Sequence, residues 1–187
     1  MRINSKGSKV LFVVTALCLF LVLTMVAGCQ GTQDKTPQAP VKASPGAKIV
    51  TIQTDKGDII IEVYPKLMPI TVANFEKLVN KGFYDNLTFH RVENWVIQGG
   101  DPLGTGMGGS PDTIKLETSP QLKNIRGGVA MARSTDPNSA SSQFYILKTD
   151  AAWLDGQYAV FGKVLQGMDV VDSIQQGDKM TKVTEQK

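Results

Sequence analysis

The run Phe89-His90-Arg91-Val92-Glu93-Asn94-Trp95-Val96-Ile97-Gln98-Gly99-Gly100-Asp101 decides how the rest of the chain is read. It sets an apolar strand, an arginine, the only histidine of the chain, an amide and a glycine turn side by side. Successive side chains of an extended strand point to opposite faces. Phe89, Arg91 and Glu93 are therefore expected on one side, with His90 and Val92 on the other. An arginine alternating with apolar neighbours is unusual, because a guanidinium is rarely buried without a partner. The pattern suggests a charge held on the wall of an apolar groove.

Outward from this run, 187 residues are the length of one domain with a sizeable core. Arg2, Lys6 and Lys9 precede an apolar run over residues 10–26, which ends at Val26-Ala27-Gly28-Cys29. A short positive region, an apolar stretch and small residues at its end form a secretory signal pattern. The last four residues resemble the lipobox of bacterial lipoproteins, whose cysteine takes lipid and becomes the new N-terminus. The expected organisation is a lipoprotein signal peptide over residues 1–28, lipidated Cys29 with a flexible tether to residue 48, and a folded domain over residues 49–187. An ordinary signal peptide, or an uncleaved anchor with Cys29 incidental, is the competing reading. The expected location is outside the cytoplasm, lipid-anchored on the outer face of the cell membrane, or in the outer membrane of a diderm host.

Cysteine and charge agree with that scheme. Cys18 lies in the leader and Cys29 would carry lipid, so the mature domain keeps no thiol to pair and relies on its core. The net charge of +3 comes from the leader: without its three cations, 17 basic residues face 17 acidic ones. A neutral domain gives no support to nucleic-acid binding.

Isoleucine- and valine-rich residues 49–54 and 58–64, separated by Asp55-Lys56-Gly57, predict a β-hairpin. Pro69 and Thr71 open a helix, with Thr71 able to cap it and Val72, Phe75, Leu78 and Val79 on one face. Lys81-Gly82 ends it. A central strand is predicted over residues 88–92 and others over 96–98, 129–132, 143–147, 158–164 and 180–184, with a short helix over 167–174. Many short strands and no βαβ alternation indicate an antiparallel barrel or sandwich.

Several chemistries fall away. Gly104-Thr105-Gly106-Met107-Gly108-Gly109 is followed by Pro111-Asp112 and no helix, so it reads as a surface loop rather than a nucleotide site. With one histidine and no thiol in the mature domain, a metal site would rest mainly on carboxylates. A serine hydrolase would need His90 beside a nucleophile such as Ser142, and no nucleophile elbow is present. The plainer reading of His90 is a partly buried side chain bonded within the fold. Trp95, Val96, Phe144, Tyr145, Trp153 and Leu154, taken singly, read as core.

Together they carry a resemblance. Phe89-His90-Arg91-Val92 and Val96-Ile97-Gln98-Gly99-Gly100-Asp101 resemble the signature of the cyclophilin family of peptidyl-prolyl isomerases. Gly127-Gly128-Val129-Ala130-Met131-Ala132, Ser142-Gln143-Phe144-Tyr145-Ile146, Trp153-Leu154-Asp155-Gly156 and Val160-Phe161-Gly162-Lys163-Val164 are similar to the later family motifs, in the same order. The resemblance implies a mainly β fold, a closed eight-stranded antiparallel barrel capped by two α-helices, with the substrate groove outside.

It also implies a site. Arg91 matches the catalytic arginine and Gln98 the groove glutamine, expected to donate to the substrate backbone. Trp95, Val96, Tyr145 and Leu154 match the proline pocket, flanked by Gln143 and Phe144, with His90 counted among the substrate-binding residues. Ala132 and Arg133 fall where the family contacts the peptide backbone, and Trp153 at the groove edge. The chain departs from the pattern in places. Glu93-Asn94-Trp95 is one residue short, Trp95 stands where phenylalanine is common, Arg133 replaces asparagine, and Tyr158 replaces histidine beside the pocket.

The implied activity is cis–trans isomerisation of X–Pro bonds, assisting the folding of exported proteins, by a monomer with no cofactor and no metal. Its partners would be proline-containing polypeptides and, through lipid, the membrane. A proline-peptide-binding chaperone or scaffold without turnover is the alternative.

Overall fold

The first hairpin of the computed structural model follows directly from its β-branched residues. β1 (Lys48–Thr54) and β2 (Gly57–Val63) pair from Lys48↔Val63 to Thr54↔Gly57, leaving Asp55 and Lys56 as a two-residue turn. The structure describes residues 41–186. The expected signal peptide, Cys29 and most of the tether lie outside the described residues.

After α1 (Pro69–Asn80) come β3 (Arg91–Val92), β4 (Val96–Gly99), β5 (Gly128–Met131), β6 (Phe144–Leu147), β7 (Val160–Gln166), α2 (Met168–Ser173) and β8 (Met180–Glu185). All strand pairs are antiparallel, in the order β3-β4-β6-β5-β7-β2-β1-β8.

The expected closed barrel is corrected by this order: the sheet is an open, curled half-barrel whose edge strands β3 and β8 do not pair with each other. The reason lies in the stretch quoted first. Only Arg91 and Val92 keep strand geometry there, and β3 is an edge rather than a central strand. Phe89 instead bonds with the turn before β8, its N–H to Asp178 and its C=O from Gly177. Phe89 is fully buried in the core and Val92 packs on the same core, so the expected alternation breaks at His90.

The core inside the curl is aromatic. Phe75 of α1 lies 5.2 Å from Tyr84, 5.6 Å from Phe144 and 5.0 Å from Phe161, between ring centroids. The start of α1 is capped differently from expectation. Thr71 does not cap it; the carboxylate of Glu117, from a distant loop, accepts from the N–H groups of Ile70 and Thr71 and from the Thr71 hydroxyl. A carboxylate there satisfies donors that a helix N-terminus leaves unpaired and complements its dipole.

The middle strands β4, β5 and β6 bury both faces, which is why they read as unbroken apolar runs. Phe144 and Ile146 point into the inner core, while Tyr145 and Leu147 join Val96, Ala130 and Val160 in a second, outer apolar cluster. That outer cluster is where the site is built.

Glu62 of β2 is fully buried and heavily bonded. It accepts from the Ser44 N–H at 2.9 Å, the Ser44 hydroxyl at 3.1 Å and the Tyr64 hydroxyl at 2.8 Å, and pairs with Lys163 at 3.2 Å. Burial alone would raise its carboxyl, but these donors outweigh burial and hold it below its ordinary value of 4.5. A group depressed in the folded state stabilises fully above its unfolded value and loses that contribution as the pH falls through the folded one. Melting temperatures of wild type should therefore fall between about pH 6 and about pH 3. Glu62→Gln should melt lower at neutral pH and decline less steeply over the same window, as circular dichroism can measure.

Candidate active site

A cavity of about 200 Å³ opens on the outer apolar cluster, lined by Arg91, Trp95, Val96, Gln98, Ala132, Arg133, Tyr145, Leu154 and Tyr158. Val96 and Tyr145 are outward positions of β4 and β6, fixed by register: Gln98 faces Tyr145 and Val96 faces Leu147. The Tyr145 hydroxyl donates to Asn124 Oδ1 at 2.7 Å, and Asn124 is held by Asp155, which accepts from its backbone N–H at 2.8 Å. Burial pushes the Tyr145 phenol far up, so it stays neutral. Tyr158 meets it edge-on at 6.0 Å, and Arg133 stacks over Tyr158 with Cζ 4.6 Å from the ring centre.

The polar wall is a chain of directed hydrogen bonds. Gln143 Nε2 donates to the carbonyls of Gly106 and Gly108, at 2.9 and 2.7 Å. Its Oε1 accepts from Gln98 Nε2 at 2.8 Å, and Gln98 Oε1 accepts from Arg91 Nη1 at 3.1 Å. Two carbonyls can only accept, so they orient Gln143, which orients Gln98, which presents an acceptor to the guanidinium. Arg91 Nε donates to Glu93 Oε1 at 2.6 Å, while Glu93 Oε2 accepts from Trp95 Nε1 at 2.7 Å.

The glycine-rich loop that supplies the two carbonyls is shaped by Asp101, almost wholly buried. Its carboxylate accepts from the N–H groups of Leu103, Thr105 and Gly106. Burial opposes its ionisation, yet the backbone donors outweigh burial and hold it below the usual carboxyl value. Gly108 has to be glycine, since a Cβ there would collide with the Asp101 carboxylate. The loop borders a second cavity of about 510 Å³, which shares Gln98, Ala132 and Arg133 with the first and includes Gln143.

The family model described as cyclophilin type peptidyl-prolyl cis-trans isomerase/CLD matches residues 49–187. The chain belongs to this family: it is a cyclophilin-type peptidyl-prolyl cis-trans isomerase. Peptidyl-prolyl cis-trans isomerase B of Bacillus subtilis is 44% identical over 130 residues, 69% of this chain and 91% of that protein. Peptidyl-prolyl cis-trans isomerase 9 of Schizosaccharomyces pombe is 42% identical over 135 residues, 70% of this chain but only 22% of that protein. A crystal structure of a Cryptosporidium parvum cyclophilin is 30% identical, covers 75% of this chain and 98% of its own, and superposes with a TM-score of 0.70. Another of the same protein, in the presence of the dipeptide Ala-Pro, is 30% identical with a TM-score of 0.68 and covers 74% of this chain and 99% of its own.

In this cyclophilin most of the expected site residues come together. Arg91, Trp95, Val96, Gln98, Ala132, Arg133, Tyr145, Leu154 and Tyr158 surround one cavity, and Gln143 stands between it and the next. Trp153 is 63% exposed on the rim, 5.9 Å from the Trp95 ring. Phe144 is a correction: strand alternation turns it into the inner core against Phe75 and Tyr84, so it cannot touch a ligand in the groove. His90 is another. It is not among the residues lining either cavity, it packs toward Gly106, and both ring nitrogens are buried without a hydrogen-bond partner, contrary to the expected internal bond. Burial keeps its imidazole below the ordinary 6.5. Gln98 is oriented by Arg91 and Gln143, and its amide keeps one further N–H while lining both cavities. Glu93, Asn124 and Asp101 had no assigned part; of these only Glu93 carried a signal, its alternation with Arg91.

Proposed function

We propose that this isomerase acts on X–Pro bonds of exported polypeptides while tethered by lipid on Cys29 to the membrane surface, and that Arg91 is the group that lowers the barrier. The observation that carries the reading is a guanidinium held in one orientation on the wall of a cavity of about 200 Å³ that Val96, Tyr145 and Leu154 also line. Rotation of the prolyl amide has a barrier of roughly 18–20 kcal/mol, set by lost resonance. No bond is made or broken, so the site needs only to favour the twisted amide over both planar forms.

In the twisted state the prolyl nitrogen becomes a better acceptor. Val96, Tyr145 and Leu154 hold the ring, and the free Nη hydrogens of Arg91 donate to that nitrogen or to the carbonyl oxygen as it turns. Such a contact is strengthened where water is excluded. The Ala-Pro dipeptide of the Cryptosporidium parvum structure supports a proline peptide as ligand. The domain works as a monomer on unfolded chains emerging at the membrane. The Val26-Ala27-Gly28-Cys29 pattern supports the anchor.

Exchange NMR on a short proline peptide should show cis–trans exchange accelerated by wild type. Arg91→Ala should lose about tenfold or more of that acceleration while keeping its circular dichroism spectrum; equal acceleration by both would contradict the role of Arg91. In cells, wild type should take up labelled fatty acid and fractionate with membranes. Cys29→Ser should do neither, and an unlabelled wild type would remove the anchor from the account.

A further inference from the structure

The tight turn between β3 and β4 has a chemical consequence. Arg91 pairs with Gln98 and Val92 with Ile97, and Glu93 N–H closes onto the Val96 carbonyl at 2.9 Å, so Asn94 and Trp95 alone form the bend. A bend this tight returns the Trp95 ring over its own strand, leaving Arg91 Cζ 5.3 Å from the ring centre. Residues two apart on a strand share a face, which brings Glu93 beside Arg91. Its two oxygens then divide their work, Oε1 to Arg91 Nε and Oε2 to Trp95 Nε1.

We propose that Glu93 is a positioning residue of this isomerase: one carboxylate clamps the catalytic guanidinium and the tryptophan wall in fixed relation and aims the remaining Arg91 donors at the cavity. The inference rests on the reading that Arg91 acts on the prolyl amide. A guanidinium has five N–H donors in a rigid plane. Gln98 takes one at Nη1 and Glu93 takes Nε, so two edges of the plane are pinned and rotation about the end of the side chain is blocked. Three donors remain without a protein partner, both hydrogens of Nη2 and one of Nη1, and these are the ones left for substrate.

A contribution to stability does not explain the contact. The two side chains are 41% and 44% exposed, and exposed ion pairs contribute little to folding. Direction is a different matter, because displacing a catalytic group by a small distance costs rate steeply. The tryptophan contact adds the wall to the same anchor, so the charge and the apolar surface cannot drift apart.

The test uses the full-length protein, with Glu93→Ala, Glu93→Gln and Arg91→Ala beside wild type. Steady-state isomerisation and the side-chain Nε–H resonance of Arg91 are both recorded. Glu93→Ala is expected to lower kcat about tenfold with KM within about twofold of wild type, and to broaden the Nε–H signal. Glu93→Gln, which keeps one acceptor oxygen, should return kcat to within about threefold of wild type. Wild-type kcat in Glu93→Ala, or Glu93→Gln no better than alanine, overturns the proposal. Arg91→Ala separates the two readings. If it is as active as wild type, the role of Arg91 itself fails; if it is inactive while Glu93→Ala turns over normally, only the positioning role fails.

Discussion

The hydrogen bonds from Gln143 to the Gly106 and Gly108 carbonyls set the polarity of the whole site. An amide side chain has one donor end and one acceptor end, and nothing in its own shape prefers either orientation. Two carbonyls remove the choice. Gln143 then shows oxygen to Gln98, and Gln98 shows oxygen to Arg91. Without that fixed polarity the guanidinium could face an amide N–H₂, two donors in opposition. Behind the carbonyls stands Asp101, whose carboxylate gathers three backbone N–H groups and so gives the loop its shape. The site is thus oriented from a buried acid outward, through backbone, amide and amide, to a cation.

The fold supports this by using its middle strands twice. β4, β5 and β6 give one set of side chains to the aromatic core around Phe75 and the alternate set to the outer cluster around Tyr145. The floor of the cavity is therefore the back of the core and cannot move independently of it. Interiors are close-packed, so displacement on one face of such a strand is resisted by the other. The walls come from less regular pieces: the β3–β4 bend brings Trp95, the stretch after β5 brings Ala132 and Arg133, and the segments before β7 bring Leu154 and Tyr158. Variation in those pieces reshapes the pocket without disturbing the sheet. The Glu93-Asn94-Trp95 bend, where the chain departs from the pattern it resembles, falls there.

Much of this was legible in the sequence, for reasons that can be named. Alternating and unbroken apolar runs placed all the strands to within a few residues, because side-chain burial in a sheet depends on local spacing. Arg91 drew notice because a guanidinium amid apolar neighbours needs a partner. Closure of the barrel was not legible, since it turns on whether residues 86–90 and 177–180 meet as a ladder or as scattered bonds, a matter of distant geometry. Nor was the cap of α1, because Glu117 reaches it across 46 residues while Thr71 fitted the local rule. His90 was misjudged because local pattern does not show whether a buried nitrogen finds a partner. Phe144 was expected to flank the pocket, yet it belongs to the inner core; adjacent aromatics in a strand buried on both sides carry no mark of which points where. Glu93, two residues from Arg91, was in plain view; its use depended on a bend whose tightness only the structure displays.

The account holds that a planar guanidinium in a fixed orientation, and not positive charge alone, favours the twisted amide. Arg91→Lys tests this most directly, because it keeps the charge while removing the rigid fork that Glu93 and Gln98 grip. Measured by exchange NMR on a proline peptide, with peptide affinity followed in parallel, the lysine protein should bind with affinity close to that of wild type. Its exchange should be slower by about tenfold or more. Exchange at the wild-type rate would contradict the account, since a mobile point charge would then be sufficient.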